Sequence, residues 1–213
     1  MDSLNGKIKL LNPVQNVEFR EKQLLRLSTE RLTLLLASPE HADHAVEFVK
    51  RNQAHLAAWE PQTPPGFYTR DYWEKLGQSA QNDFLAGRGL RLNVFADLKD
   101  YGLIGRINFS QINRGPFQSC MLGYAIDAQY QGKGLMHEGL RAAIDYMFTV
   151  QKLHRIQANY LPENKRSAAV LKRLGFKIEG LGLQYLFING RWRDHVLTAR
   201  LNPLFASDTP SLG

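Results

Sequence analysis

The residue spacing that is most informative about chemistry occurs in one short, glycine-containing segment of this chain. It reads Gln129-Tyr130-Gln131-Gly132-Lys133-Gly134 and lies between an apolar run at 120–126 and a periodic, helix-like stretch at 135–151. Two glycines separated by one residue allow consecutive backbone N–H groups to point into one concavity, and a helix that follows adds the positive end of its dipole. The spacing predicts either a pyrophosphate site or an ordinary strand-to-helix turn that uses the backbone freedom of glycine.

Other known signatures fit the chain less well. Leu135, Met136 and His137 follow Gly134, so the third glycine of a dinucleotide-binding fingerprint is missing. Lys133 is followed by glycine rather than by the Ser or Thr of a Walker loop. The sequence contains no Gly-x-Ser-x-Gly string, so a serine hydrolase has no support.

The order of helices and strands predicted around this segment indicates an α/β (α+β) fold. Hydrophobic periodicity and turn residues indicate, after a first strand, the order αα-βββ-α-β-α-ββ, with a final hairpin that turns at Asn189-Gly190. A crossover helix between two strands implies at least one parallel pair, so we expect a mixed, mostly antiparallel sheet of about seven strands flanked by helices. The predicted strands cover 31–36, 90–96, 103–111, 117–126 and 155–160, and the predicted helices cover 38–52, 53–58, 69–85, 135–151 and 164–175.

Length and charge limit the kinds of protein that this chain can be. The 213 residues suffice for one domain with a sizeable core, and we divide them into an N-terminal arm or extra edge strand at 1–23, a single domain at 24–205 and a loose tail at 206–213. The formal net charge of +7 favours polyanionic partners. These are a phosphorylated cofactor or nucleic acid, including a ribosomal surface, and charge alone leaves both open.

Three further features bear on compartment and metal content. No apolar run approaches the roughly 20 residues that cross a bilayer, and the first residues lack the pattern of a signal peptide, so we expect a cytoplasmic protein without membrane contact. The single cysteine, Cys120, cannot form an internal disulfide and is interpreted as a buried small hydrophobe. His41 and His44 have no third ligand nearby, so no metal is expected.

Gly123 lies inside the apolar strand that precedes the glycine segment. A glycine within a strand predicts a β-bulge, which is the commoner explanation, or close approach of a ligand to the backbone. A strand left unpaired beside a pyrophosphate site would offer N–H and C=O groups to the two amides of a pantetheine arm. The segment is therefore compatible with coenzyme A binding.

In this glycine segment and in a second block, the sequence resembles the GCN5-related N-acetyltransferase (GNAT) family. The family signature Gln/Arg-x-x-Gly-x-Gly/Ala is present as Gln129, Gly132 and Gly134, and the segment 164–176 resembles the family's Asn-x-x-Ala/Ser helix that ends in Gly-Phe. The match narrows to the branch that acetylates the N-terminal alanine of bacterial ribosomal proteins, and it covers most of the chain. The narrower matching strings are Trp59-Glu60-Pro61 and Trp192-Arg-Asp-His-Val-Leu-Thr198; others are Arg114-Gly115, Leu122-Gly123-Tyr124, 131–136, 154–156 and 164–167.

This resemblance implies a reaction and its residues. Acetyl-CoA would be the donor, the N-terminal alanine of a small-subunit ribosomal protein would be the acceptor, and transfer would be direct in a ternary complex. The family's usual acid is a tyrosine where this chain has Leu171, whereas Ser167 matches the serine that the ribosomal-protein branch uses near the thiolate, so Ser167 is the candidate acid. Glu60, with Asp194 behind it, is the candidate for orienting the amine or accepting its proton through water. The candidate cofactor-binding residues are Leu122, Tyr124, Ala125, Ile126, Gln131, Gly132, Lys133, Gly134, Leu135, Met136, Asn164 and Ser167.

The strand at 117–124 contains no carboxylate, and this bears on the acceptor. A backbone N–H near 122–124 is enough to stabilise the developing oxyanion, but an evident base for the amine is missing. An α-amine of pKa about 7.7 to 8.0 is roughly a tenth neutral at pH 7, whereas a lysine of pKa about 10.4 is almost entirely charged. A site without an evident base therefore favours the α-amine of an N-terminus over a lysine side chain as the acceptor.

Two alternatives remain open from the residues. One is an acetyltransferase for a small amine or a lysine side chain, and the other is a ribosome-binding assembly factor that uses the fold as a docking module. A basic helix is compatible with contact to the phosphates of coenzyme A, with contact to ribosomal RNA, or with an ordinary solvated face. Its basic residues are Lys165, Arg166, Lys172 and Arg173. The sequence gives no indication of the oligomeric state.

Overall fold

One mixed β-sheet organises the part of the chain that the computed structural model describes, which is residues 25–96 and 102–208 together with the two-residue strand 8–9. Within these residues the sheet has nine strands in the order β1-β2-β3-β4-β5-β6-β7-β9-β8, and its one parallel pair is β6 with β7. The strands are β1 (Ile8–Lys9), β2 (Arg26–Ser28), β3 (Leu32–Leu36), β4 (Leu90–Ala96), β5 (Leu103–Asn113), β6 (Ser119–Ile126), β7 (Arg155–Gln157), β8 (Lys177–Ile188) and β9 (Arg191–Leu201).

The mixed, mostly antiparallel α/β architecture confirms the predicted fold class, but the predicted strand number was too low. The two additional strands, β1 and β2, are two and three residues long. Such short segments carry no alternation of apolar and polar residues that a sequence pattern would reveal. The predicted strand 155–160 is also shorter than expected, because regular strand pairing ends at Gln157 and Tyr160 forms only an isolated bridge to Val196.

Five α-helices are present in the described ranges: α1 (Ala42–Arg51), α2 (Gln53–Leu56), α3 (Arg70–Leu85), α4 (Leu135–Thr149) and α5 (Lys165–Arg173). The helix predicted from Ser38 begins instead with a 3₁₀ turn over Pro39–His41, and the hydroxyl of Ser38 makes no capping hydrogen bond. Thr69 caps α3 by accepting from the backbone N–H of Tyr72 at 3.4 Å. The remaining helix predictions are confirmed to within a few residues.

The two faces of the sheet carry separate cores, and the register of β5 with β6 shows which residues belong to each. Ile107 pairs with Tyr124, and both pack into the core that includes α4; we call this the α4 face. Arg106 pairs with Ala125, which packs with Phe48 of α1 and Trp73 of α3; we call this the α1–α3 face. Cross-strand partners share a face, so residues along β6 alternate between these two surroundings.

Most of the predicted N-terminal arm and the last five residues of the predicted tail lie outside the described residues. Strand β1 falls within the arm and pairs antiparallel with β2, and a 3₁₀ helix at Pro203–Asp208 includes the first three tail residues. The division into arm, domain and tail stays a prediction. Among the described residues, no helix combines the length and apolar character that crossing a bilayer requires.

Candidate active site

The site is a cleft that opens where β6 and β7 diverge. The two strands pair in parallel only from Ser119 to Met121. Beyond this point the chain after β7 turns to β9, since the N–H of Ala158 donates to Thr198 (3.0 Å) and that of Tyr160 donates to Val196 (3.2 Å). The second half of β6 therefore loses its neighbour on this side, and a cavity of about 1070 Å³ occupies the gap and the adjoining surfaces of the sheet.

Gly123 lies at the open edge and is not in a bulge, so the favoured sequence interpretation was wrong. It pairs in continuous register with Asn108, is exposed, and a Cβ built on it would meet no atom within 4 Å. The glycine thus keeps the strand backbone accessible at the point where β6 has no partner. The second interpretation, close approach of a ligand to the backbone, remains a prediction.

The predicted phosphate segment forms a turn with two glycines in the left-handed region. Gly132 has φ of 74° and Gly134, the N-cap of α4, has φ of 77°. A residue with a side chain would pay about 1 to 2 kcal/mol for this backbone conformation. The segment is therefore built around glycine for its backbone angles, and it presents the N-terminus of a 15-residue helix to the cleft.

A buried carboxylate fixes the start of this turn. Asp127 accepts hydrogen bonds from Nε of Arg51 (2.5 Å), from Nδ2 of Asn52 (3.0 Å) and from the backbone N–H of Gln129 (2.9 Å). Burial raises the pKa of Asp127, but these hydrogen bonds outweigh burial and hold the pKa below its usual value. The carboxylate is therefore charged at neutral pH and joins the turn to the end of α1.

Ser167 lies on the first turn of α5, on the α4 face of the cleft. Asn164 caps this helix, with Oδ1 accepting from the backbone N–H of Ser167 at 3.0 Å. The Ser167 Oγ lies 2.8 Å from the hydroxyl of Tyr124 on β6. Burial raises the pKa of Tyr124 to about 12; the hydrogen bond with Ser167 opposes this effect and Tyr160 adds to it, so this phenol is protonated at physiological pH. Leu171, where the family usually has a tyrosine, is buried in the core.

Glu60 lies in the same cavity on the α1–α3 face, paired with the half-buried Arg106. Nη2 of Arg106 is 3.0 Å from Oε1 and 3.4 Å from Oε2 of Glu60. The guanidinium carbon also lies 5.2 Å from the ring centroids of both Phe48 and Trp73. Burial lowers the pKa of Arg106, and Glu60 opposes this effect. The carboxylate is therefore held in place by a cation that is itself packed between aromatic rings.

A family model for the acetyltransferase (GNAT) domain matches residues 31–177, more than half of the chain. The chain belongs to this family. This confirms the resemblance drawn from the sequence, and the protein is an N-acetyltransferase.

Individual relatives of this GNAT chain act on ribosomal proteins. It is 43% identical over 181 residues to the [ribosomal protein uS5]-alanine N-acetyltransferase of Escherichia coli (strain K12), covering 84% of this chain and 92% of that protein. The crystal structure of ribosomal-protein-S5-alanine acetyltransferase from Vibrio fischeri superposes with a TM-score of 0.81 at 36% identity, covering 84% and 97% of the two chains. The Mycobacterium smegmatis RimJ structure, a complex with CoA-disulfide, gives a TM-score of 0.75 at 29% identity and covers 84% of each chain.

The structure brings all of the predicted GNAT site residues to the cleft except Lys133 and Asp194. The ammonium nitrogen of Lys133 lies 5.1 Å from the ring centroid of Tyr130. Asp194, the second carboxylate candidate, accepts from the backbone N–H of Gln184 in the irregular part of β8 and does not line the cavity. The residues that line it are Glu60, Leu122, Tyr124, Ala125, Ile126, Gln131, Gly132, Gly134, Leu135, Met136, Asn164 and Ser167.

Sequence reasoning missed three features of this GNAT site. The hydrogen bond from Tyr124 to Ser167 joins residues 43 positions apart, and no local pattern reveals it. Arg106 was overlooked, although an arginine among the apolar residues of the first half of β5 was a usable signal of an ion pair. His195 was noticed only as part of a family string, yet it is buried and lines the cavity.

Other potential chemistry is weakly supported in this structure. Burial raises the pKa of the Cys120 thiol to about 12, so this cysteine has little thiolate character. No three His, Cys, Asp or Glu side chains in the described ranges are grouped so that they could hold a metal ion. The cavity wall includes the Tyr124–Ser167 hydroxyl pair, the Glu60–Arg106 ion pair, His195 and the open backbone of β6. The other histidines and the other carboxylate that line it are His41, His55, His137 and Glu163.

Proposed function

We propose that this enzyme transfers the acetyl group of acetyl-CoA directly to the N-terminal alanine of a small-subunit ribosomal protein. The observation that carries the proposal is the convergence of three features on one cleft: the glycine turn at the start of α4, the open edge of β6 at Gly123, and the hydroxyl of Ser167. The identity to the uS5-alanine enzyme of E. coli supports the choice of acceptor. A ribosomal acceptor would place the reaction in the cytoplasm.

The donor fits along β6 and across the turn. The pantetheine arm would use the N–H and C=O groups that β6 leaves unpaired after Met121, in the manner of an additional strand. Its pyrophosphate would lie against the backbone N–H groups at 132–135, at the positive end of α4. The M. smegmatis relative crystallised with CoA-disulfide supports a coenzyme A ligand.

The basic face of α5 is better suited to this ligand than to ribosomal RNA. Lys165, Arg166 and Arg173 line the cleft itself, and Nη1 of Arg166 donates to Gln131 of the turn at 2.5 Å. Their charges therefore lie beside the proposed phosphate site, where they would act at short range. Lys172 does not line the cavity and is the one of the four that lies away from this ligand site.

The hydroxyl pair supplies a proton to the leaving sulfur. Because Tyr124 stays protonated, its O–H can donate to Ser167 Oγ, which leaves the Ser167 hydroxyl proton directed elsewhere, toward the thiolate. Backbone N–H groups around Gly123 would stabilise the charge that develops on the carbonyl oxygen, a contribution of about 3 kcal/mol per donor. Ser167 would thus act as the acid and Tyr124 would position it.

The Glu60–Arg106 pair is proposed to orient the acceptor. The α-amine of a protein arrives mostly as an ammonium ion at neutral pH, and a carboxylate at the cavity wall would attract it. Arg106 donates to both oxygens of Glu60 and so holds this carboxylate in one geometry. Glu60 would therefore bind the ammonium group, and another group would remove its proton.

The test is a comparison of acceptors under steady-state conditions. We expect the highest kcat/KM for a peptide that begins with alanine, and a much lower value for the same peptide blocked at its N-terminus but containing lysine, or for a polyamine. A higher value for lysine or polyamine would favour the alternative enzyme. If turnover is absent and ribosome binding weakens steeply with salt, the docking module becomes the better account.

A further inference from the structure

His195 lies on the side of the cleft opposite to Ser167. Tyr160 forms the bridge with Val196, and Tyr160 packs against the same core as Tyr124, so Val196 belongs to the α4 face. Successive residues in a strand point to opposite faces, which places His195 on the α1–α3 face. The acid and this histidine thus flank the open edge of β6 from its two sides, and both line the cavity.

The hydrogen bonding of His195 determines which ring nitrogen carries the proton. Nδ1 lies 3.1 Å from the backbone carbonyl oxygen of Arg193. A carbonyl oxygen can only accept, so Nδ1 carries a hydrogen, and in the neutral imidazole Nε2 has the free lone pair. No other hydrogen bond to this side chain is present among the residues that the structure describes. The ring is therefore oriented with a basic nitrogen available.

We propose that His195 is the general base of the reaction, an inference that rests on the proposed transfer to an amine. Nε2 takes one proton from the α-ammonium held at Glu60, and the neutral nitrogen then attacks the thioester carbon. The C–N bond forms as the C–S bond breaks. Of the three ammonium protons, one passes through His195 to solvent. A second leaves the nitrogen as the C–S bond breaks and restores, through solvent, the proton that Ser167 gives to sulfur, and the third remains on the amide.

The surroundings of His195 suit this role. The Tyr185 ring of β8 packs beside the imidazole at 5.7 Å, and its hydroxyl accepts from Nδ2 of Asn159 at 3.2 Å. The charges nearest in sequence are already engaged: Arg193 pairs with Glu163, and Asp194 accepts from the backbone N–H of Gln184. These contacts hold the imidazole without occupying Nε2. They also explain how a buried histidine is tolerated on a strand that borders a cavity.

The test compares kcat/KM of His195→Asn with that of wild type at two pH values. The asparagine side chain can still donate to the Arg193 carbonyl, but it cannot act as a base. About a tenth of an α-amine is neutral at about pH 7 and nearly all of it at about pH 9, so a base-free variant recovers as pH rises. We expect kcat/KM to fall about 100-fold at the lower pH and only about tenfold at the higher one. The matched control is His154→Asn, an exposed histidine outside the cavity, which should stay within about twofold of wild type.

Two further readouts separate catalysis from structure. Acetyl-CoA should bind His195→Asn and wild type with the same Kd, and ¹⁵N NMR of the histidine rings should show a protonated Nδ1 and a bare Nε2 for the signal that the substitution removes. His195→Gln serves if His195→Asn does not fold. A loss equal at both pH values, or none, would overturn the proposal. If wild type does not acetylate alanine, the proposed function fails. The role of His195 is then decided by the loss of kcat/KM in His195→Asn at the two pH values, measured with the acceptor that wild type does use.

Discussion

The hydroxyl of Tyr124 on β6 lies 2.8 Å from that of Ser167 on α5, across the cleft that β6 and β7 leave open. The two side chains come from elements that do not adjoin in sequence, and each is fixed independently. Tyr124 packs against the core on the α4 face, and Ser167 is held at the first turn of a helix capped by Asn164. The relationship makes the two hydroxyls one functional unit rather than two separate contacts.

Ser167→Ala is expected to lower kcat about 100-fold, because general acid catalysis by a positioned group typically contributes this much or more. KM for acetyl-CoA should change by no more than about twofold. Tyr124→Phe should lower kcat less, and the double variant should be no slower than Ser167→Ala, since Tyr124 acts through Ser167. Steady-state kinetics check this. Ser79→Ala, on the exposed surface of α3, is the matched control, and additive losses in the double variant would refute the coupling.

Gly134→Ala is expected to raise KM for acetyl-CoA about tenfold, because the new side chain disfavours the left-handed backbone that aims the N–H groups of the turn. Gly87→Ala is the control: it has φ of 67°, outside the cleft, with no atom within 4 Å of its Cβ position. Both variants should lose about 1 to 2 kcal/mol of stability. Isothermal titration and thermal unfolding separate the two effects. Equal acetyl-CoA affinities in the two variants would count against the turn as the phosphate site.

Glu60→Gln is expected to weaken the acceptor side alone. Glutamine can still accept from Arg106, but it has no charge to attract an ammonium group, and a charge-assisted hydrogen bond is worth about 1.5 to 3 kcal/mol. KM for an alanine peptide should therefore rise at least tenfold, while the Kd for acetyl-CoA stays constant. Glu74→Gln, which removes a surface carboxylate paired with Arg70 on α3, is the matched control. An unchanged peptide KM would remove Glu60 from this role.

Asp127→Asn is expected to destabilise the fold in a pH-dependent way. The folded-state pKa of Asp127 lies below its usual value, so its charge contributes stability at neutral pH that is lost as pH falls through that lowered pKa. At about pH 7 the variant should be less stable by about 2 kcal/mol, the scale of losing a partner from buried hydrogen bonds. Urea unfolding at several pH values should show the gap closing in acid. Asp71→Asn, an exposed carboxylate, should show almost no gap, and a gap that persists in acid would contradict the assignment.

Local signals in the sequence predicted the parts of the site that depend on local structure. Gly132 and Gly134 predicted a turn with unusual backbone angles, and Asn164 predicted the helix start that positions Ser167. Contacts between distant elements had no such signal. Three such contacts depend on how strands and helices pack. They are the Tyr124–Ser167 hydrogen bond, the pairing of Arg106 with Glu60 and the position of His195 opposite Ser167. Gly123 shows the same limit, because an open strand edge and a bulge give the same sequence pattern.

The most direct test of the whole account is to locate the acetyl group after one reaction. A peptide that begins with alanine and contains an internal lysine is incubated with the enzyme and acetyl-CoA, and the product is fragmented in the mass spectrometer. We expect a single acetyl group on the alanine α-amine, formed about 100-fold more slowly when Ser167 is replaced by alanine. An acetyl group on the lysine side chain, or none on either amine, would contradict it.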